Sequence, residues 1–366
     1  MNRLGVAAAL VDGAVVPGDV EITDGRIVAT GRRPAGRGGL AVPGLVDLHI
    51  HGCAGVDFLA DGAAGHTTAA PALLASGVTA YQPTFVCSPP AVVATALDEL
   101  AAARVPDGPR LLGAHLEGPF LSPAHLGAHD PRHRRDPDPA LALRLLDAGP
   151  VSEVTIAPEL PGGLDLVRLL ADRGVTVSVG HTGADAAHAR AAFAAGARAV
   201  THLCNAMRPL HHRSPGVVGV ALTAEGVTFE LIVDGHHLDD DMVRLIWRAA
   251  AERVALVSDG TAATGMADGT YSLGEGTVTI TESVVRGGDG GLAGGAATLV
   301  EAVRNLHALG VPLPAAVDAA SRVPANLIGR RDLGRLRPGA AADLLVLDDA
   351  LTVRATFVAG HTRYAV

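Results

Sequence analysis

No lysine occurs anywhere in the chain: all 29 of its Lys-plus-Arg basic side chains are arginine. Cysteine is scarce as well. Cys53, Cys87 and Cys204 stand far apart with no Cys-x-x-Cys spacing, which excludes a disulfide framework and fits a reducing compartment. No run of 18 apolar residues exists, which excludes a membrane-spanning helix. The apolar stretch Leu4–Leu10 is short and is broken at Asp12-Gly13, so it reads as a strand and not as a secretion signal. Charged residues make up only 18% of the chain and the net charge is -9. With no basic stripe, a nucleic-acid binder is excluded. The densest basic cluster, Arg132–Arg135, reads as a solvated loop. A cytoplasmic location is the default expectation.

What is present is a long apolar chain: 366 residues, 48% of them hydrophobic, enough for one large core and a smaller satellite. Eight segments rich in Val, Ile and Leu read as strands: Val42–His49, Val78–Phe85, Arg110–Glu117, Glu153–Pro158, Val175–His181, Arg198–His202, Val227–Asp234 and Val254–Asp259. Near-continuous apolar strands are those of a parallel sheet buried on both faces. Helical patterns fall between them at Ala91–Ala103, Leu164–Arg173, Ala184–Ala195 and Asp239–Ala251, and after a hairpin-like insertion at Thr270–Val285 the pattern resumes at Ala296–Leu309. Strand and helix alternating in this way describe an α/β fold, a (β/α)8 TIM-type barrel, over residues 42–332. Residues 1–41 and 333–366 carry short strands and turns instead. Neither end buries enough surface alone, so the two are expected to meet as one small β-sandwich domain.

The unusual polar residues fall at strand ends. His49 and His51 close the first strand in Asp-Leu-His-Ile-His-Gly, Glu117 the third in His-Leu-Glu-Gly-Pro-Phe, His181 the fifth, His202 the sixth and Asp259 the eighth, while His237 follows the seventh. In a barrel, the C-terminal rim of the strands is where active sites are assembled. A His-x-His pair on a strand points both imidazoles to one side, because side chains alternate with period two. A lone histidine is ordinarily a core or surface residue, but chance does not keep placing histidines on one rim. Imidazole and carboxylate ligands suit zinc or iron(II). Without lysine, the chain cannot bridge two ions with a carboxylated lysine; Glu117 is the residue placed for that role. His115, two before Glu117, is read as tuning the site or packing the barrel. Cys204 is read as a small filler, and His66, His188 and His307 as surface residues on helices.

With these residues in hand, the chain resembles the amidohydrolase superfamily, and within it the N-acetylglucosamine-6-phosphate deacetylase family. The resemblance rests on Pro43–Gly52, His115–Phe120, Gly180-His181-Thr182, Thr201–Met207, His211-His212-Arg213, Leu292–Gly295 and the stretch around Gly339–Asp343. It implies hydrolysis of the acetamide of N-acetyl-D-glucosamine 6-phosphate to D-glucosamine 6-phosphate and acetate. It implies one tight divalent-metal site, Zn2+ or Fe2+, at Glu117, His181 and His202, and a second at His49, His51 and Asp259. Asp259 is the implied catalytic acid–base. Arg213 is the implied phosphate ligand, reaching into the neighbouring subunit of a homodimer, with His237 as a second contact. His129 is the implied carbonyl contact, and Ala128, Asn205, Ala206, Leu292, Ala293, Gly294 and Gly295 align with sugar- and phosphate-contacting segments.

The chain departs from the family in one contact segment, where Leu292–Gly295 has glycine in place of a frequent serine. Arg132–Pro139 has no role in this reading. Two rivals stand beside it. One is another amidohydrolase reaction, with the galactosamine epimer of the substrate foremost, because one hydroxyl configuration is decided by few contacts. The other is a catalytically dead, metal-stabilised binding protein, which has no need of a placed base such as Asp259.

Overall fold

A computed structural model describes residues 2–366. Eight parallel strands follow one another around a barrel: Leu45–Ile50, Val78–Val86, Ala114–Glu117, Val151–Ile156, Thr176–Val179, Ala199–Val200, Thr228–Leu231 and Val254–Leu256. The ring is closed just beyond the eighth strand, where the Asp259 N–H donates to the His49 carbonyl at 2.9 Å and Gly260 bridges Ile50 in parallel. The α/β barrel expected from the strand pattern is therefore the fold observed. Most strand residues are buried, and the core lies between them and a ring of helices: Gly62–Ala75, Pro90–Ala102, Pro139–Ala148, Gly163–Asp172, Ala186–Ala194, Gly216–Thr223, Asp240–Ala250 and Leu299–Ala308.

Local chemistry sets several helix starts. Asp138, Asp185 and Asp239 each accept backbone N–H bonds as N-caps, and Thr298 with Glu301 forms a capping box, satisfying donors that the first turn leaves unpaired. Arg132–Pro139 thus has one structural duty at its end: Asp138 and Pro139 start the third helix.

Two expected strands are divided by glycine. Val42–His49 is two strands, Leu40–Pro43 and Leu45–Ile50, parted at Gly44, where a Cβ would lie 2.1 Å from Thr79 Oγ1. Arg110–Glu117 splits into Arg110–Leu111 and Ala114–Glu117 around Gly113, whose φ of +88° is a left-handed conformation that interrupts the strand. His66 departs from expectation too. It is 1% exposed, bonded to Tyr81 Oη at 2.9 Å and stacked on Phe58.

Strands from the two chain ends share a six-stranded sheet in the order His361–Ala365, Val353–Val358, Leu344–Leu347, Leu40–Pro43, Ala8–Val11, Ala14–Pro17. A three-stranded sheet of Asn2–Arg3, Asp19–Thr23 and Arg26–Arg32 covers it, with Val20, Ile22, Ile27, Ala41 and Leu344 among the residues packed between them. A bidentate pair from Arg110 to Asp343 ties this layer to the barrel. Beyond the eighth strand, Gly269–Leu273, Gly276–Thr281 and Val284–Arg286 form an antiparallel sheet whose Leu273 overhangs the barrel mouth.

Candidate metal centre

The C-terminal rim gathers six side chains into two triangles that meet at Glu117. In one, His181 Nε2, His202 Nε2 and Glu117 Oε1 lie 3.0 Å from one another. In the other, His49 Nε2, His51 Nε2 and Asp259 Oδ1 are separated by 3.3 Å along every edge. Glu117 borders both: Oε1 is 3.5 Å from His49 Nε2, and Oε2 is 3.4 Å from His51 Nε2. Zinc bonds of about 2.0–2.1 Å in a tetrahedron put neighbouring ligand atoms about 3.3 Å apart, so each triangle is close to one face of such a polyhedron.

The protons also suit a cation. His181 Nδ1 donates to the His125 carbonyl at 2.8 Å, His51 Nδ1 to the Thr84 carbonyl at 3.2 Å, and His49 Nδ1 to Glu230 Oε2 at 2.9 Å. Three rings therefore turn Nε2 inward; His202 Nδ1 is buried without a partner. Burial works against charge on Glu117, but the imidazoles of His49, His129 and His181 hold its carboxyl well below the usual range. Asp259 is likewise held low against burial, by His49 and His51. His49 is raised despite burial by the carboxyl groups of Glu117, Glu230 and Asp259, so without an ion its Nε2 also holds a proton, which a bound cation would displace. Ionised carboxylates and inward imidazole nitrogens in a buried space are the donor set of a divalent cation.

Backbone strain accompanies this arrangement. His181, His202 and Asp259 have φ of +46°, +29° and +48°, a sparsely populated region for residues with a Cβ. Gly294 and Gly295 brace the last of them. The Gly295 N–H donates to the Asp259 carbonyl at 2.7 Å, and a Cβ on Gly295 would lie 2.3 Å from the Ser258 carbonyl oxygen. Gly294 has φ +89° and a Cβ there would lie 2.5 Å from Thr261 Cγ2. Both glycines are thus demanded by the backbone behind Asp259. Gly295 does not line the cavity, contrary to its expected role as a contact.

A cavity of about 330 Å³ opens above the triangles, lined by His51, Glu117, Ala128, His129, His181, His202, Asn205, Ala206, His237, Asp259 and Leu292–Gly294, with Leu273 and Asp289 at its edge. His49 lies beneath it, fully buried. His129 is pushed down to about 4, chiefly by burial, and its Nδ1 accepts the Cys87 N–H at 3.1 Å. Its proton is therefore on Nε2, 3.2 Å from Glu117 Oε2, as a donor at the cavity wall. His237 Nδ1 is held by Asp234 Oδ2 at 2.8 Å, and that bond raises the ring's pKa against the effect of burial. Arg213 is not brought in. It is exposed, bonded to His212 Nε2 at 2.8 Å, and among the described residues no arginine lines the cavity. Cys204 is half-buried and stands outside both triangles.

Glu230 escaped the sequence reading. A charged residue inside the apolar run Val227-Thr-Phe-Glu-Leu-Ile-Val233 was the signal available for it. Asp289 and Leu273 gave none, since they come from the inserted sheet and the loop after it.

A sequence model of the amidohydrolase family matches residues 40–363. The chain is 37% identical to an N-acetylglucosamine-6-phosphate deacetylase of Vibrio furnissii over 87% of its own length and 82% of the relative's. It is 38% identical to an N-acetylgalactosamine-6-phosphate deacetylase of Escherichia coli O157:H7, over 88% and 87%. Its fold superposes with a TM-score of 0.93 on N-acetyl-D-glucosamine-6-phosphate deacetylase of Mycobacterium smegmatis, solved as a mutant in complex with N-acetyl-D-glucosamine 6-phosphate, at 37% identity and 98% coverage of both chains.

Proposed function

The chain belongs to the amidohydrolase family, and on that premise we propose that it hydrolyses the acetamide of N-acetyl-D-glucosamine 6-phosphate, releasing acetate and D-glucosamine 6-phosphate. The observation that carries this reading is the Glu117-centred pair of donor triangles beneath a cavity furnished with a neutral imidazole donor and a carboxylate. Glu117, His181 and His202 would hold one zinc or iron(II) ion, and His49, His51 and Asp259 a second, with Glu117 between them. When bound, the metal supplies Lewis-acid polarisation of the acyl carbonyl and lowers the pKa of water toward neutrality.

The remaining chemistry belongs to the side chains. His129 Nε2–H donates to the acyl oxygen as charge develops on it. Asp259 faces the two histidines through Oδ1, leaving its other oxygen free of those contacts. It takes the proton from the attacking water and returns it to the amine nitrogen as the C–N bond breaks. Asn205, Ala206 and His237 line the cavity and orient the sugar phosphate.

The phosphate lacks a guanidinium within one chain. We infer that a second copy supplies it through Arg213, whose loop carries Leu210 at 42% exposure as an apolar contact for a dimer. Guanidinium engages phosphate in bidentate fashion. We also assign the small β-sandwich to residues 1–41 and 333–366, the barrel to 42–332, and the site of action to the cytoplasm; no helix among the described residues is long and apolar enough to cross a membrane.

Acetate release from a panel of N-acetylated sugar phosphates, after reconstitution with defined metals, tests the assignment. Turnover of the glucosamine epimer is expected to exceed that of the galactosamine epimer and of unphosphorylated N-acetylglucosamine. The galactosamine epimer is the second reading, favoured by the similarity to the Escherichia coli relative; faster turnover of that epimer would select it. No release from any member would refute both.

A further inference from the structure

Beneath the two triangles lies a side chain that the roles above leave unused. Glu230 sits within the seventh strand and is fully buried. Its Oε2 accepts from His49 Nδ1 at 2.9 Å and from the backbone N–H of His202 at 3.2 Å. Those partners belong to different triangles. The two bonds differ in what they control, however. The one to His202 holds a backbone N–H and leaves that ring's Nδ1 without a partner. The one to His49 holds the ring itself.

The other rings are oriented differently. His51 and His181 donate Nδ1–H hydrogen bonds to main-chain carbonyls, of Thr84 and His125. His49 alone among the four histidines is oriented by a side chain. It is 0% exposed, out of reach of bulk solvent, and His115 packs edge-on against it with ring centroids 4.7 Å apart. A carboxyl group on the far nitrogen of a metal-binding imidazole fixes the tautomer and increases the basicity of the near nitrogen.

We propose that Glu230 is the positioning residue for the second ion: by accepting the hydrogen bond from His49 Nδ1–H it aims Nε2 at the His51–Asp259 site, and so decides whether the chain holds one ion or two. The proposal rests on the ligand assignment under Proposed function, but not on the substrate named there.

The test is metal content against free zinc in chelator-buffered solution, for the wild type, Glu230→Leu, Glu230→Gln and Glu153→Gln. The wild type is expected to take up two ions. Glu230→Leu should keep one at native affinity and bind the other about 10–100-fold more weakly, the usual loss when such a partner is removed. Glu230→Gln retains an acceptor oxygen and should fall between. Glu153 is an equally buried carboxyl side chain with no hydrogen bond to His49, so Glu153→Gln should keep both ions. Equal weakening of both ions in the Glu230 variants would make Glu230 a brace of the fold and overturn the proposal. Unchanged binding of both, or a wild type that holds one, would overturn it as well. Should Glu230→Leu fail to fold, the isosteric Gln variant decides: second-ion affinity equal to the wild type refutes the proposal. Absence of acetate release would sink the substrate assignment without altering these ion counts.

Discussion

Replacing His129 with leucine removes a donor from the cavity and an acceptor from the backbone in one step. In the native chain Nδ1 accepts the Cys87 N–H, so the Nε2 proton faces the cavity. Loss of one preorganised donor to a developing oxyanion costs about 10²–10³ in kcat, or about 2.7–4 kcal/mol. KM should change less, because the donor binds the charged transition state more strongly than the neutral amide. The buried Cys87 N–H is left unpaired, which costs about 1–3 kcal/mol of stability. With an unfolding entropy of about 2.1 cal/mol/K per residue, that is a fall of about 1–4 °C in Tm for a chain of 366 residues. Steady-state acetate release and calorimetry, at matched metal content, read the two effects separately. Glutamine at 129, which can turn an N–H toward the cavity, should recover part of kcat. An unchanged kcat in the fully metallated leucine variant would refute the role given to His129.

Other perturbations probe the rest of the account. Asp259→Asn should retain the ion at Glu117, His181 and His202 while turnover falls about 10²–10⁴-fold; turnover restored by excess metal that refills the site at His49 and His51 would make Asp259 a ligand only. Arg213→Ala should raise KM for the phosphorylated sugar, and mixing it with Asp259→Asn should restore activity, since the first chain's site then borrows an intact arginine. No recovery on mixing would place Arg213 in its own chain's chemistry or in none. His66, pushed down to about 4 by burial against an ordinary 6.5, stays neutral in the fold while the unfolded chain protonates near 6.5. Its contribution is therefore complete above that pH and is lost as pH falls from 6.5 toward 4, to a limit of about 3 kcal/mol. Denaturant titrations of wild type and His66→Gln should diverge in that window, and equal pH dependence would contradict the assignment.

The parts of the site that could be read from sequence are those that break a pattern in sequence. His49, His51, Glu117, His181, His202 and Asp259 end apolar strands with groups that a core rejects, so burial and chemistry both mark them. Glu230 has the same signature, yet only the closing of the barrel shows that it meets His49 from the far side of the ring. His66 was misread because its helix is apolar around much of its circumference, with small residues such as Gly65, Ala69 and Ala70 buried on it. A histidine there shows no polar side to belong to. The strand breaks at Gly44 and Gly113 depend on a φ angle or on a neighbour distant in sequence, neither of which an apolar run reveals. Arg213 is the opposite case. Its motif is legible, and a single chain leaves it in solvent.

The most direct test of the central claim is acetate release from N-acetyl-D-glucosamine 6-phosphate by enzyme stripped with chelator and then titrated with zinc or iron(II). The account predicts that stripping abolishes turnover, that added metal restores it, and that Glu117→Gln is not rescued at any metal concentration. Full turnover by metal-free enzyme, or by Glu117→Gln, would contradict it.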